Sequence, residues 1–179
     1  HKDAKPIIDG EFITNDRFGN DIKKYMAFDI YFHKGKDVSN KPLLVNSKNR
    51  MSILQDIIEN KENKFIPENK SNNISINLKE FYFSDGNKLF KKHCKKILDN
   101  STNQNYEYYI DGLIFTPTNL AVGANKEGDD SSLTGTWKKV FKWKPIEDNT
   151  IDFLVKFIGE IQEETTKRKY MSCELYVGY

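Results

Sequence analysis

The chain has 179 residues, of which 37% are hydrophobic and 30% are charged, and its formal net charge is +2. That length suits one good-sized domain, or one domain and part of a second, and the composition is that of a folded protein. Two cysteines and three histidines form neither a disulfide framework nor a metal motif. No apolar run approaches the roughly 20 residues that span a bilayer. With so small a net charge, a site for an anionic partner has to be a local concentration of positive residues.

The first part of the chain predicts two strands and a helix. The segment "PIIDGEFI", residues 6–13, predicts a strand interrupted by a turn at Asp9 and Gly10. Residues 25–32 predict an aromatic-rich strand that is apolar on both faces, as a central strand of a sheet is. An amphipathic helix follows, because apolar residues recur there at helical spacing: Met51, Leu54, Ile57 and Ile58.

The middle of the chain predicts a polar loop, a strand and a second helix. Residues 61–73 are polar, and "ISINLKEFYF", residues 74–83, alternates like a strand. In "SDGNKLFKKHCKKILDN", residues 84–100, the inner stripe of an amphipathic helix consists of Phe90, Cys94, Ile97 and Leu98. Its outer face carries Lys88, Lys91, Lys92, Lys95 and Lys96. Such a face suits RNA phosphates, although a solvated surface is the more common role.

The last part of the chain predicts four strands and a domain boundary. Residues 106–117, "YEYYIDGLIFTP", predict a strand, and the acidic, Gly/Ser-rich residues 123–135 predict a loop. After a strand around "VFKWKP", two further strands, residues 151–162 and 169–179, are joined by a charged turn. A change of composition at residues 145–150 predicts one domain over residues 1–149 and a second over 150–179.

Lys142 and Lys144 stand two residues apart, so a strand would point both ammonium groups to one face. Like charges repel there, so the face is either solvated or occupied by an anion. Two lysines on one face can hold a phosphate group and stabilise charge that develops on it. A carboxylate opposite them can hold a divalent cation that bridges phosphate oxygens. Taken singly, a strand-end carboxylate or an Asp-Gly pair is more often a turn or salt-bridge residue.

Four motifs then occur in a recognisable order: "DGEF", "YMAFDIYF", "DGLIFTP" and "KWKPIEDNTIDF". Their order resembles that of the covalent nucleotidyltransferases, which include ATP-dependent DNA ligases, RNA ligases and mRNA capping guanylyltransferases. "KWKP" followed by "NTIDF" is similar to the capping branch, as is "DGLIFTPTN". The layout of residues 7–155 resembles the multifunctional capping enzymes of large DNA viruses.

The resemblance implies an α+β fold. A nucleotidyltransferase domain of antiparallel sheets with flanking helices would be followed by the start of an OB fold. It also implies an mRNA guanylyltransferase that passes GMP from GTP, through a lysyl-GMP intermediate, to the diphosphate 5′ end of RNA. Mg²⁺ or Mn²⁺ would be the cofactor, and triphosphatase and methyltransferase domains or subunits are possible partners. The implied location is the cytoplasm, or a viral factory or virion for a viral protein.

Roles for individual residues follow from the resemblance. Glu11 would contact the ribose, and Phe28 would stack on the guanine, although core packing explains Phe28 about as well. Asp111 would hold the metal ion and take part in catalysis. Lys142 and Lys144 would bind the α-phosphate.

The chain also departs from the family pattern. The family's nucleophile is the lysine of a Lys-x-Asp-Gly motif, which these 179 residues do not contain. We therefore expect a fragment that is inactive alone, with most of the OB domain missing and Asp152 in a structural role. Two alternatives stay open: a fragment of an ATP-dependent DNA or RNA ligase, or a catalytically degenerate module that binds nucleotides or RNA.

Overall fold

The computed structural model of the chain describes residues 5–45, 47–59, 74–83 and 88–177, so the predicted loop at 61–73 lies outside the described residues. The chain divides into two compact units, His1–Trp143 and Lys144–Tyr179. The domain boundary predicted between residues 149 and 150 stays a prediction. None of the described helices is long and apolar enough to cross a membrane.

Strands and helices are mixed in the first unit, which confirms the predicted α+β class. Its elements are β1 (Ile7–Asn15), β2 (Asp21–His33), β3 (Lys36–Asp37), α1 (Arg50–Glu59), β4 (Ser75–Leu78), a π-helical segment (Leu89–Cys94) that continues into α2 (Lys95–Thr102), β5 (Leu113–Phe115) and β6 (Phe141–Trp143). The second unit contains a 3-10 turn (Ile146–Asp148), β7 (Leu154–Gln162) and β8 (Lys169–Tyr176).

The long strand β2 is the centre of the main sheet, as its two apolar faces predict. It pairs antiparallel with β1 along one edge and with β3 on the other. On that second edge it also pairs with β4, and this pairing is parallel. The sheet expected to be antiparallel therefore contains one parallel pair, because the chain returns to β2 through α1 rather than through a tight hairpin.

A β-bulge at Phe28 decides which side chains of β2 reach the core. Asp9 lies opposite Asp29 and Gly10 opposite Ala27, so Phe28 is an extra residue with no partner on β1. Ala27 and Ile30 are three residues apart and would face opposite sides of a regular strand. Both are nevertheless fully buried in one cluster. The extra residue reverses the alternation between them, as a bulge does.

The hydrophobic core lies between β2 and α1. Its buried members are Ala27, Ile30, Val38, Leu43, Met51, Leu54 and Ile57. Met51, Leu54 and Ile57 are three of the four residues whose spacing predicts this helix, and the fourth, Ile58, packs against the cluster from its margin. The prediction of an amphipathic helix is confirmed.

Arg50, the first residue of α1, is the largest fully buried side chain. Its guanidinium forms two parallel bonds with Asp29 of β2, from Nε to Oδ1 at 2.7 Å and from Nη2 to Oδ2 at 3.1 Å. Nη1 donates to the carbonyl oxygen of Leu120 at 3.0 Å and to that of Lys41. Burial raises the pKa of Asp29, and the bonds from Arg50 oppose that rise.

Gly10 does not form the turn predicted from the Asp-Gly pair, because β1 continues through it. A Cβ atom at this position would lie 2.6 Å from two atoms of the Tyr25 ring and 2.8 Å from the carbonyl oxygen of Met26. Glycine is required here because the Tyr25 ring crosses directly over the backbone. The Asp-Gly pair does mark a position that needs glycine. The reason is the close approach of the Tyr25 ring rather than a turn.

Two other predictions are wrong in detail. The strand predicted over residues 106–117 is confined to β5, because the residues before it contact the β1–β2 connection instead: the amide of Arg17 donates to the carbonyl of Glu107 at 2.9 Å. Phe90, predicted to face inward, is 63% exposed. The amide of Lys95 bonds back to the carbonyl of Phe90, five residues earlier, and this wider turn moves Phe90 off the stripe that includes buried Cys94.

The second unit is an antiparallel hairpin of β7 and β8, which confirms the two predicted strands and their charged connection. Its register places Leu154 opposite Tyr176 and Gln162 opposite Lys169, with one irregularity between Phe157 and Gly159. Nearly all of its residues are exposed, and this includes large apolar side chains on both faces.

Replacing Arg50 with methionine should lower the free energy of unfolding by about 3–5 kcal/mol, because Asp29 is left as a buried, unpaired charge. The measurement is chemical denaturation of the protein that carries this chain. Lys95→Met is the matched control: its ion pair with Asp99 is exposed, so the loss should stay under about 1 kcal/mol. Arg50→Met/Asp29→Leu should recover part of the loss. A single Arg50→Met change no larger than the control would contradict the structural role.

Gly10→Ala should destabilise the protein by about 1–3 kcal/mol, because the new methyl group collides with the Tyr25 ring and with backbone. Gly159→Ala is the control, since a Cβ there meets no atom within 4 Å. Equal unfolding midpoints for the two variants would show that Gly10 is not held by this contact.

Candidate functional site

Glu11 lies on β1, on the face of the strand opposite to the core residue Ile8. Its carboxylate accepts a hydrogen bond from Nζ of Lys79 at 2.8 Å. The Glu11 side chain is 53% exposed and that of Lys79 is 30% exposed. Lys79 directly follows β4, and its amide donates to the carbonyl of Ala27 at 2.7 Å, so the parallel strand pairing positions the lysine. The Glu11 carboxylate is thus accessible to solvent, and it already accepts a hydrogen bond from Lys79.

Phe28 is half-buried at the bulge of β2. It is not among the partly buried hydrophobic residues that pack against the core cluster. A bulge re-aims a side chain, and bulges are over-represented beside active sites. Whether the ring of Phe28 stacks on a base or packs within the protein stays a prediction.

Asp9, two residues before Glu11, supports the same part of the sheet. The hydroxyl of Tyr31 donates to the Asp9 carboxylate, and burial, followed by this hydrogen bond, raises the pKa of Tyr31 far above its ordinary value. Burial, followed by the charge of Asp9, also raises the pKa of Tyr25. Both phenols therefore stay protonated and act as hydrogen-bond donors around the bulge.

The segment before β5 connects Glu11 to Asp111. Burial raises the pKa of Tyr108, and the charge of the Glu11 carboxylate is the next cause of that rise. Asp111 lies three residues beyond Tyr108, a span of at most about 11 Å. Asp111 is exposed and lies two residues before β5. The predicted ribose contact and the predicted metal ligand are both residues of the first unit.

β5 and β6 form a short antiparallel ladder that brings the predicted lysine strand beside the Asp111 segment. Leu113 lies opposite Trp143, Ile114 opposite Lys142 and Phe115 opposite Phe141. Lys142 and Ile114 are both exposed, so the lysine stands on an open face of the ladder. Asp111 lies just before the end of this ladder at which Leu113 pairs with Trp143. The structure brings Lys142 to the strand that Asp111 leads into.

The remaining candidates belong to the second unit. β6 ends at Trp143, so Lys144 lies one residue beyond the strand, where it is half-buried. Asp152 is exposed and precedes β7. The prediction that Lys142 and Lys144 share one strand face is not tested by these positions.

Metal binding would rest on few protein ligands. Within the described part of the chain, no three acidic, histidine or cysteine residues are grouped so that they could hold an ion. Asp111 supplies a hard oxygen donor, which fits Mg²⁺ or Mn²⁺ if phosphate oxygens of a ligand complete the coordination. A cavity of about 320 Å³ lies elsewhere, beside the acidic loop, and contains none of the predicted site residues.

Sequence reasoning missed two residues of this site, Lys79 and Tyr108. Lys79 could have been found from its place at the end of an alternating strand, where a polar residue leaves the core. Tyr108 has no such signal, because the effect of the Glu11 charge on its pKa depends on the tertiary placement of a segment that forms no strand. The structure joins Glu11 to Lys79 and pairs the strand of Lys142 with β5, and the roles predicted for these residues stay predictions.

Known proteins share this sequence pattern. The family model of the mRNA capping enzyme, catalytic domain, matches residues 2–146. A probable mRNA-capping enzyme of Acanthamoeba polyphaga mimivirus is 26% identical over 220 aligned positions, which cover 96% of this chain and 18% of that protein. An mRNA-capping enzyme of Danio rerio is 28% identical over 156 positions, covering 86% of this chain and 23% of the relative. The chain spans less than a quarter of the length of these two relatives.

Glu11→Gln should change the free energy of unfolding by less than about 1 kcal/mol, because its ion pair with Lys79 is largely exposed. Asp29→Asn, at the buried pair, should cost several times more in the same denaturation experiment. A Glu11→Gln loss as large as that of Asp29→Asn would mean that the carboxylate supports the fold rather than a ligand.

Proposed function

The chain belongs to the mRNA capping enzyme catalytic-domain family, and from this premise we propose that it forms part of an mRNA guanylyltransferase. In this proposal the parent enzyme transfers GMP from GTP to the diphosphate 5′ end of RNA. The observation that carries it is the β5–β6 ladder, which joins the segment after Asp111 to the strand that contains Lys142. Capping requires a carboxylate and a lysine near one phosphate group, and this pairing supports assigning those roles to Asp111 and Lys142.

The proposed reaction has two steps. A neutral lysine amine attacks the α-phosphorus of GTP, a nitrogen–phosphorus bond forms, and the bond to the leaving pyrophosphate breaks. A terminal phosphate oxygen of the RNA then attacks the same phosphorus, and the lysine leaves as the nitrogen–phosphorus bond breaks. The family places that nucleophile in a Lys-x-Asp-Gly motif, which is absent from these 179 residues. We therefore assign the covalent step to a lysine outside them and expect this chain alone to be inactive.

The residues of this chain would bind and orient the nucleotide. Glu11 would accept hydrogen bonds from the ribose hydroxyls, which compete with Lys79 for its oxygens. Phe28 would stack on the base, a contact of about 1–3 kcal/mol. Lys142 and Lys144 would hold the α-phosphate and stabilise the negative charge that grows on it in the transition state.

A metal ion, Mg²⁺ or Mn²⁺, would neutralise phosphate charge and polarise the phosphorus. Asp111 would be its protein ligand. We assign an OB-fold beginning to the β7–β8 hairpin, on the family pattern alone, and a structural role at the junction to Asp152. Triphosphatase and methyltransferase partners, and a location in the cytoplasm, a viral factory or a virion, are likewise inferences from the resemblance.

The competing function is that of an ATP-dependent ligase, and the base of the nucleotide distinguishes the two. The protein that carries this chain is incubated with Mg²⁺ and either GTP or ATP and is then weighed intact by mass spectrometry. We expect a GMP adduct with GTP only. An AMP adduct would indicate an ATP-dependent ligase. No adduct with either nucleotide would favour a module that binds nucleotides or RNA without catalysis.

Lys142→Ala and Lys144→Ala should each lower the rate of adduct formation by at least about 100-fold, because each removes a charge that stabilises the transition state. Lys139→Ala is the matched control: it is also exposed and lies two residues before β6. Unfolding midpoints close to wild type would show that the variants fold. A folded double variant with full activity would contradict the phosphate-binding role.

A further inference from the structure

The helix after β4 carries a dense group of lysines that the proposed reaction does not use. We define the lysine face as Lys88, Lys91, Lys92, Lys95 and Lys96, all of which are exposed. All five are exposed whereas Cys94 of the same helix is buried, so the lysines lie on its solvent side. The face extends for about 12 Å along the helix axis, at 1.5 Å per residue.

The net positive charge of this helix is larger than that of the whole chain. Residues 88–102 contain five lysines and one acidic residue, Asp99, which gives a net charge of +4. The chain as a whole has a net charge of +2, so the remaining residues together are net −2. A local concentration of positive charge on an otherwise slightly acidic protein attracts polyanions to that place.

The lysines of the face are poorly neutralised by the protein. Lys95 pairs with Asp99 at 3.0 Å, and Lys96 lies over the ring of Tyr82, 5.1 Å from its centre. No carboxylate in the described part of the chain pairs with Lys91 or Lys92. Lysines at this spacing repel one another, and each such pair destabilises the helix. A polyanion laid along the face would remove that cost.

Aromatic rings lie beside the lysines. Phe90, on the same helix, is 63% exposed, and the half-buried ring of Tyr82 lies under Lys96. The faces of such rings stack with unpaired bases, whatever the sequence of those bases. Lysines beside open aromatic rings are the combination that proteins use for single-stranded nucleic acids. An acidic protein is a poorer fit, because lysine is depleted in protein–protein interfaces.

The face is connected to the candidate site. Phe90 contacts Phe115 of β5, with 5.8 Å between ring centres. β5 follows Asp111 and pairs with the strand that contains Lys142. A strand of RNA that lies on the lysine face would therefore run towards the ladder where its 5′ end is to react.

We propose that the lysine face binds the phosphate backbone of the single-stranded RNA acceptor and directs its 5′ end to the β5–β6 ladder. This rests on the proposed function, because it takes the acceptor of GMP as the ligand. Lysine ammonium groups on flexible stems contact phosphates without reading bases, so the binding is independent of sequence.

The test measures how a 5′-diphosphate RNA of about 20 nucleotides binds the protein that carries this chain, by fluorescence anisotropy across a salt series without GTP. The slope of log affinity against log salt is about −0.7 per phosphate contact for single strands. Lys91→Gln/Lys92→Gln should therefore make the slope shallower by about 1.4. It should also weaken binding roughly 10-fold at 0.1 M salt. Glutamine keeps the helix propensity of lysine.

The matched control is Lys34→Gln/Lys36→Gln, which removes two exposed lysines from the turn between β2 and β3 and should leave the slope unchanged. Lys91→Arg/Lys92→Arg should keep the wild-type slope, which separates loss of charge from loss of fold. If Lys91→Gln/Lys92→Gln lowers the unfolding midpoint, Lys88→Gln/Lys92→Gln takes its place. Equal slopes for the glutamine variant, the control and wild type would overturn the proposal.

The two proposals fail in different ways. A wild-type protein that forms a GMP adduct but shows no change of slope in the glutamine variant would overturn the lysine face and keep the guanylyltransferase. A wild-type protein that forms no adduct, yet shows the predicted change of slope, would overturn the guanylyltransferase and leave an RNA-binding surface.

Discussion

The first unit depends on one buried ion pair. Arg50 begins α1, and its guanidinium binds a carboxylate on the central strand and carbonyl oxygens of two separate connections. The Arg50 side chain thus joins the helix to the sheet. It also binds two connections that are far apart in sequence, at Lys41 and at Leu120. A buried guanidinium is tolerated only when it is well hydrogen-bonded, and here four bonds give each of its three nitrogens a partner. The apolar core beside it is small, so this polar contact determines where α1 sits.

The same pair explains how the candidate site acquires its shape. Asp29 directly follows the bulge residue Phe28, so the contact that anchors Asp29 also holds the bulge in place. On the neighbouring strand, Asp9 and Gly10 fit around the rings of Tyr31 and Tyr25, and Glu11 is left at the open edge of this arrangement. A rigid backbone therefore supports accessible side chains. A binding site needs such support if it is to keep its geometry when no ligand is bound.

Much of this could be predicted from the sequence, and the failures have physical causes. The helix α1, the central place of β2 and the final hairpin follow from periodicity, because each has a one-sided or two-sided apolar pattern. Gly10 was misinterpreted because an Asp-Gly pair signals a turn in most settings, and only the crossing of the Tyr25 ring reveals another cause. Phe90 and the short β5 were misplaced because a wider helical turn and long-range contacts of Glu107 leave no local pattern. Within the site, motif order indicated Glu11 and Phe28, whereas Lys79 and Tyr108 depend on strand pairing and chain crossing.

The hairpin of β7 and β8 has a consequence for how this polypeptide behaves in solution. Two strands with large apolar side chains on both faces cannot bury them against each other, and a lone hairpin is marginally stable in water. Its outer edges present backbone donors and acceptors to any extended segment that approaches. Such an edge is a template for β-augmentation, either by a further strand of the same protein or by a neighbouring copy. The outer edges of the hairpin are therefore the places where a further strand could extend this sheet.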